Sequence, residues 1–265
     1  MNLKKHIPKL SDRSRPFLKG MAILAGLVAL QYSFFSVKSV RDRMKAVNSQ
    51  VEVQLLTPAE VEKDTSWLRL YKEKDWLETR LQIARTDSIS LSVNLQDSSL
   101  QIELKGVVLK KTKMLDYKAD KFLYKLNPAA YHHMMGKQAK ASEVIASIPK
   151  EPLIIKKAPK DTLEAEATAE TIDSTKIEVV HWMMKLDNQL VIKIEGVDPL
   201  SKDGWWASRK FWMVQNLQQT TRDFTKALLF KTPEYDPEIK LLIPEADAKA
   251  FYRALPVQPL VCIRL

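Results

Sequence analysis

Only a few side chains in this sequence could carry covalent or acid–base chemistry, and their spacing limits what each could do. Cys262 is the single cysteine, so it could act as a thiolate nucleophile but not in an intrachain disulfide. A thiolate nucleophile needs a base beside it, and the chain has four histidines. His132 and His133 are adjacent, so on a helix they point in different directions, whereas joint metal ligands favour a spacing of four. His181 falls in a β-like run beside Trp182, where a structural role is expected. Asp198, Asp203 and Asp236 each stand next to a proline or glycine, as turn acids do, and no two carboxylates have the spacing of a general acid/base pair. Trp205, Trp206, Phe211 and Trp212 form the densest aromatic cluster, suited to a core or to stacking on a sugar or partner. The six glycines come no closer than Gly20 and Gly26, which leaves no glycine-rich cradle for a phosphate. Neither a cofactor nor a metal site is expected from this set.

The elements that position these residues begin with a membrane-type segment. Gly20 to Val37 contains no charged residue, and its eighteen residues make about 27 Å of helix, close to a bilayer core. The chain carries a formal charge of +10, but residues 1–50 hold ten Lys/Arg and two acids, whereas the remaining 215 hold 32 and 30. The basic excess therefore flanks the apolar run, which reads as membrane topology and not as a nucleic-acid face. A cleavable signal peptide would end in a small-x-small site, but this run ends in Phe34-Phe35-Ser36-Val37-Lys38. A signal anchor at 20–37 is expected, with the basic tail 1–19 (net +5) in the cytoplasm. The main domain would then be periplasmic, on a bacterial inner membrane.

Beyond the anchor, Val40, Met44, Val47, Val51 and Leu55 recur at spacings of three and four, a narrow helical stripe. Thr57-Pro58-Ala59-Glu60 has the form of a capped helix start. The helix after it places Trp67, Leu70, Leu77, Leu81 and Ala84 on one side, with Lys74 interrupting. Residues 38–86 are expected to form a helical stalk, with helices packed on the following domain as the equal alternative. From Asp87 the period becomes two. Ile89, Leu91, Val93 and Leu95 alternate with polar residues as a half-buried strand. A turn at 96–99, a strand at 100–104, a turn at Gly106 and a strand at 107–109 follow. Residues 127–148 read as helix and loop, and 149–175, rich in Pro, Thr, Ala and Glu, as a flexible loop. Two strands, 177–185 and 189–195, turn at Asp187-Asn188. A helix over 207–230 carries Phe211, Val214, Leu217, Phe224 and Leu228 on one face. A strand at 239–243, a helix at 244–255 and a strand at 260–265 close the chain. The fold class is α+β, with a transmembrane helix and stalk before a mixed, mostly antiparallel domain over 87–265.

Two stretches carry a family likeness. ISLSVNLQDSSLQIELKGVVLKK (89–111) has a strand, polar turn, strand and glycine turn in order. LLIPEADAKAFYRALPVQPLVCIRL (241–265) has a strand, an acidic alanine-containing helix with a tyrosine, a proline and a last strand. Together these resemble the L,D-transpeptidase catalytic domain, the peptidoglycan cross-linking fold, over less than a fifth of the chain. The matching positions at the end are Pro244, Asp247, Ala248, Lys249, Ala250, Tyr252, Pro256, Val257 and Ile263. The chemistry departs from that family. Its nucleophilic cysteine lies in an S-H-G-C-I-R type motif, which falls here on Pro237-Glu238-Ile239-Lys240, with Lys240 at the cysteine position. Cys262-Ile263-Arg264-Leu265 copies the letters but lies after the helix, in the last strand.

The resemblance implies a transpeptidase-like domain that has lost catalysis, leaving Cys262 as a weak catalytic candidate. Trp205, Trp206, Trp212 and Lys240 are the candidate ligand or partner contacts. The function expected is a non-catalytic envelope protein, bound to the inner membrane, that binds peptidoglycan or scaffolds other envelope proteins through its stalk. The alternatives are an active L,D-transpeptidase and a structural subunit of a membrane-spanning secretion or division assembly.

Overall fold

The computed structural model describes residues 15–49, 65–150, 179–198 and 204–265. The Thr57–Glu60 helix start, Val51, Leu55 and nearly all of the 149–175 tract lie outside the described residues, as do the side chains of Trp205 and Trp206. The chain divides into two compact units, one of Met1–Ala46 with Gln215–Tyr235 and one of Val47–Val214 with Asp236–Leu265.

In the first unit, helix α1 (Arg15–Ser49) contains the charge-free run. Its stretch Lys19–Ser49 is long and apolar enough to cross a membrane, with a mean hydropathy of 1.7 and none of the apolar window buried. Of the expected stripe, Val40 and Met44 are half-buried, and Val47, where the helix passes into the second unit, is buried.

The second unit is built on one nine-stranded sheet in the order β3-β2-β1-β9-β5-β6-β7-β8-β4. The strands are β1 (Ser90–Asn94), β2 (Ser99–Leu104), β3 (Val107–Lys113), β4 (Asp116–Ala119), β5 (Ala139–Ala146), β6 (His181–Leu186), β7 (Val191–Val197), β8 (Glu238–Pro244) and β9 (Leu260–Arg264). Helices α2 (Thr65–Ala84), α3 (Pro128–Met135), α4 (Gly204–Leu228) and α5 (Glu245–Ala254) interleave with them. Pairing is parallel at β1–β9 and β7–β8 and antiparallel elsewhere, so the sheet is mixed and mostly antiparallel.

The first hairpins form where the periodicity places them. Asn94 Oδ1 accepts from the backbone N–H of Gln96 and Asp97 and closes the β1–β2 turn. Lys105 and Gly106 both adopt positive φ, the twist a two-residue β2–β3 turn requires. Edge strand β3 leaves Val107 and Leu109 exposed but carries Lys110, Lys111 and Lys113, charges that discourage edge-to-edge pairing.

One sheet face is the main core. Leu91, Leu100, Trp182, Met184, Ile192, Ile194, Ile239, Leu241 and Ile243 are all buried there with Phe251 of α5. Helix α5 reaches β7 over Gly196, where a Cβ would lie 2.8 Å from the Val180 carbonyl oxygen and 2.9 Å from Ala248 Cβ.

Four expectations change. Strand β1 is buried on both faces, because Ser90, Ser92 and Asn94 lie beneath a covering element and not in solvent. That element is α2: of the two readings of residues 38–86, α2 takes the packed one, and its Trp76 and Ile83 form a buried cluster with Cys262. The side of α2 that meets the sheet carries Asp75, Trp76, Thr79 and Ile83, whereas Leu70, Leu77 and Leu81 of the expected stripe are exposed. The apolar face expected on α4 is likewise largely exposed at Val214, Leu217, Phe224 and Leu228, while Trp212 is buried. Finally, residues 127–148 contain strand β5 as well as helix α3.

Candidate functional site

The weak candidate nucleophile is buried in the sheet. Cys262 is 3% exposed on β9, level with Ser92 of β1 and covered by Trp76 and Ile83. Burial pushes its thiol up to about 12; a hydrogen bond with Ser92 opposes this and the Glu103 charge adds to it. The groups acting on the thiol include no histidine. Such a thiol stays protonated and behaves as a small apolar core residue. Helix α2 covers the sheet face on which the sulfur lies.

Lys240 and Trp212 do come together, on the sheet face opposite the main core. Lys240 of β8 pairs with Glu195 of β7 at 2.6 Å, and its neighbour Lys193 pairs with Glu238 at 2.6 Å. Both ammonium groups lie about equally far from the Trp212 ring centre, at 5.8 Å for Lys193 and 5.9 Å for Lys240. Ser208, four residues before Trp212 on α4, donates a hydrogen bond to Glu195. Burial opposes ionisation of Glu195, but hydrogen bonds from Lys240 and Ser208 and the Lys240 charge hold its carboxyl below the usual range. The cluster neutralises itself, each lysine facing its own carboxylate. It fastens the first half of α4 to the sheet and offers no free charge to a ligand.

His181 sits under this cluster, cross-strand from Glu195 and 1% exposed. Its ring lies against Phe211 (6.2 Å) and Trp212 (6.4 Å), and neither ring nitrogen has a hydrogen-bond partner among the described residues. Burial lowers its pKa below 6.5, with Glu195 pulling the other way. The native state thus binds fewer protons here than the unfolded chain, so stability from His181 is full above the unfolded pKa and falls as pH drops below about 6.5. Glu195, depressed, adds a second loss at lower pH, as its carboxylate is protonated. His181→Phe, which keeps a ring between Phe211 and Trp212, should remove the first loss. Urea midpoints should then be flat from neutral to mildly acidic pH and within about 1 kcal/mol of the parent at neutral pH. An unchanged acid slope would assign the loss to other groups.

The open site lies elsewhere, between α2, α3 and the turn after β1. A cleft of about 390 Å³ is lined by Arg69, Tyr71, Lys72, Gln96, Tyr124 and Tyr131, with Leu68, Leu126 and Pro128 as its apolar wall. Helix α3 starts at Asn127, whose side chain accepts from Ala130 N, and this cap sets Tyr131 inward. Tyr131 is buried, with its hydroxyl accepting from Leu265 N at 3.4 Å, and Lys72 lies over its ring at 4.8 Å. Tyr71 stacks on Trp67 with ring centres 5.0 Å apart, and burial, aided by Asp75 and Glu78, pushes its hydroxyl up to about 12. Burial also lowers the Lys72 pKa. Neither Arg69 nor Lys72 forms an ion pair among the described residues. Behind the cleft, His132 Nδ1 lies 3.0 Å from the buried Asp75 carboxylate, while His133 is exposed, so the adjacent histidines do diverge.

The chemistry available here is recognition: two unneutralised cations, several hydroxyl-bearing rings and one amide, without an activated nucleophile. Sequence reasoning missed these residues because they come from three segments and have no common spacing. The only signal was the run Arg69-Leu70-Tyr71-Lys72, which looks like any amphipathic helix. Among the described residues, no group of three His, Cys, Asp or Glu side chains could hold a metal ion. No family model, curated protein or solved structure matches the chain.

Proposed function

We propose that this chain is a membrane-anchored cell-envelope protein whose sheet domain binds an anionic, ring-bearing polymer, of which peptidoglycan is the fitting class, without transforming it. The cleft carries the reading: Arg69 and Lys72 bring positive charge, without an ion-pair partner among the described residues, beside the exposed ring of Tyr124. A sugar ring can stack on Tyr124, and the carboxylates of peptidoglycan stems would neutralise the cations. The anchor reading rests on α1, charge-free from Gly20 to Val37, and on the net +5 of residues 1–19, which favours a cytoplasmic N-terminus. The L,D-transpeptidase likeness adds a peptidoglycan context but no activity, since Cys262 is sealed beneath α2.

The full chain in mild detergent should co-sediment with purified sacculi. Arg69→Glu with Lys72→Glu should weaken that binding by at least about tenfold, the worth of one lost charge-assisted contact, with an unchanged circular dichroism spectrum. Parent protein that stays in the supernatant would overturn the reading.

A further inference from the structure

We infer that the end of α4 enters the same bilayer as α1, so that residues 224–230 form a membrane-embedded hook beside the span. This rests on the anchor reading and goes beyond it, because a single-pass anchor requires no second segment in lipid.

Depth is the first argument. Gln31 is six residues inside Val37, the last residue of the charge-free run, which places it about 9 Å below that end of the helix. Its side-chain amide donates to the Ala227 carbonyl oxygen at 2.7 Å. Tyr32 meets Phe224 with ring centres 6.0 Å apart, and Phe35 meets Phe230 at 6.5 Å. Val28, Gln31, Tyr32, Phe224, Ala227 and Leu228 line one seam, too narrow for a water. Where Gly20–Val37 crosses hydrocarbon, these partners must lie at the same depth.

The backbone supplies the second argument. A helix that ends in lipid leaves its last carbonyls without water, so each needs an internal donor. Lys231 N donates to Lys226 O at 2.9 Å and Phe230 N to Ala227 O at 3.0 Å, the paired bonds of a Schellman cap. Leu229 N donates to Thr225 O at 3.2 Å. The hydroxyls fold back in the same way: Thr221 onto Leu217 O at 2.7 Å, Thr225 onto Thr221 O at 2.8 Å, and Ser33 of α1 onto Ala29 O at 2.8 Å. Lys226, the one cation on this last turn, is neutralised by Glu234 at 3.0 Å and can reach the headgroups along its stem.

The third argument is an outlier. Phe230 has φ +54° at the position of the cap where glycine is usual, and it is 75% exposed. Leu228 and Leu229 are also 45% and 64% exposed. In water an aromatic ring at this strained position would gain almost nothing. In the bilayer interface the ring and these leucines bury apolar surface against acyl chains.

The test uses the full chain in phosphatidylcholine vesicles, with an environment-sensitive fluorophore on Leu30→Cys, Leu228→Cys, Phe230→Cys or Lys111→Cys and the parent chain as the labelling blank. Probes at Leu30, Leu228 and Phe230 should be quenched at least twofold by nitroxide-labelled acyl chains and resist aqueous iodide, with Lys111 the reverse. A lipid-quenched Leu30 with iodide-quenched Leu228 and Phe230 would overturn the hook and leave the anchor standing. An iodide-quenched Leu30 would remove the anchor and the hook together. Probes at Leu228 and Phe230 shielded from both quenchers would show protein covering the hook, and would also overturn it.

Discussion

Trp76→Ala is expected to lower folding stability by about 3–5 kcal/mol, the cost of removing a buried tryptophan ring. The ring is 7% exposed and lies between two guanidinium groups, Arg80 at 4.6 Å and Arg264 at 5.3 Å from its centre. Each guanidinium is itself tied down: Arg80 to Glu103 of β2 at 2.9 Å and Arg264 to Glu73 of α2 at 3.2 Å. The ring therefore completes a bracket that fastens α2 across β2 and β9. Losing it removes two cation–π contacts worth about 0.5–1 kcal/mol each, and the cavity beneath exposes Cys262 and Ile83. The effect should reach the cleft, because Arg69, Tyr71 and Lys72 lie on the same helix. Trp76→Phe should recover about half of the loss. Leu77→Ala, next in sequence but 47% exposed, should stay within about 0.5 kcal/mol of the parent. Urea unfolding of the full chain in detergent, followed by circular dichroism, measures all three. Equal midpoints for Trp76→Ala and Leu77→Ala would show that α2 is not fastened this way.

The same residues show why the sequence was readable for strands and misleading for helix faces. Leu91, Val93, Leu100 and Ile102 alternate with polar residues, and alternation has few explanations besides a strand. On α2 the leucines at 70, 77 and 81 outweigh Trp76 and Ile83 in any count of apolar residues, yet the polar side of β1 and β9 is what the helix covers. Ser90, Ser92 and Asn94 accept a partner face containing Asp75 and Thr79, which hydrophobic periodicity cannot anticipate. Strand β5 was missed because Ala139, Lys140, Ala141, Ser142 and Glu143 have weak β preference, so its pairing with β6 and β9 decides its conformation. The pairing of Lys240 with Trp212 was legible only as two separate residues. The cleft was not legible, since α2, α3 and the β1–β2 turn meet only through tertiary packing.

The sharpest expected result concerns the thiol. In the folded chain Cys262 should react with a small alkylating reagent about a thousandfold more slowly than an ordinary cysteine. A pKa of about 12 in place of 9.0 lowers the thiolate fraction at neutral pH by that factor, before access is considered. Access lowers it further, because α2 covers the sulfur with Trp76 and Ile83. Reaction in denaturant should be fast and stoichiometric, which separates a buried thiol from an oxidised one. A carbapenem, which acylates an active transpeptidase cysteine, should leave the folded chain unmodified by mass spectrometry. The Trp76→Ala chain sharpens the comparison: by opening the cover over Cys262 it should speed alkylation, yet carbapenem acylation should still fail. Exposure supplies access, but not the base or the amide donors that an acyl transfer needs. Rapid acylation of the parent chain would restore the transpeptidase reading and require α2 to leave the sheet in solution. Slow alkylation that quickens without acylation would confirm that β9 holds a core residue where the family's letters suggested a nucleophile.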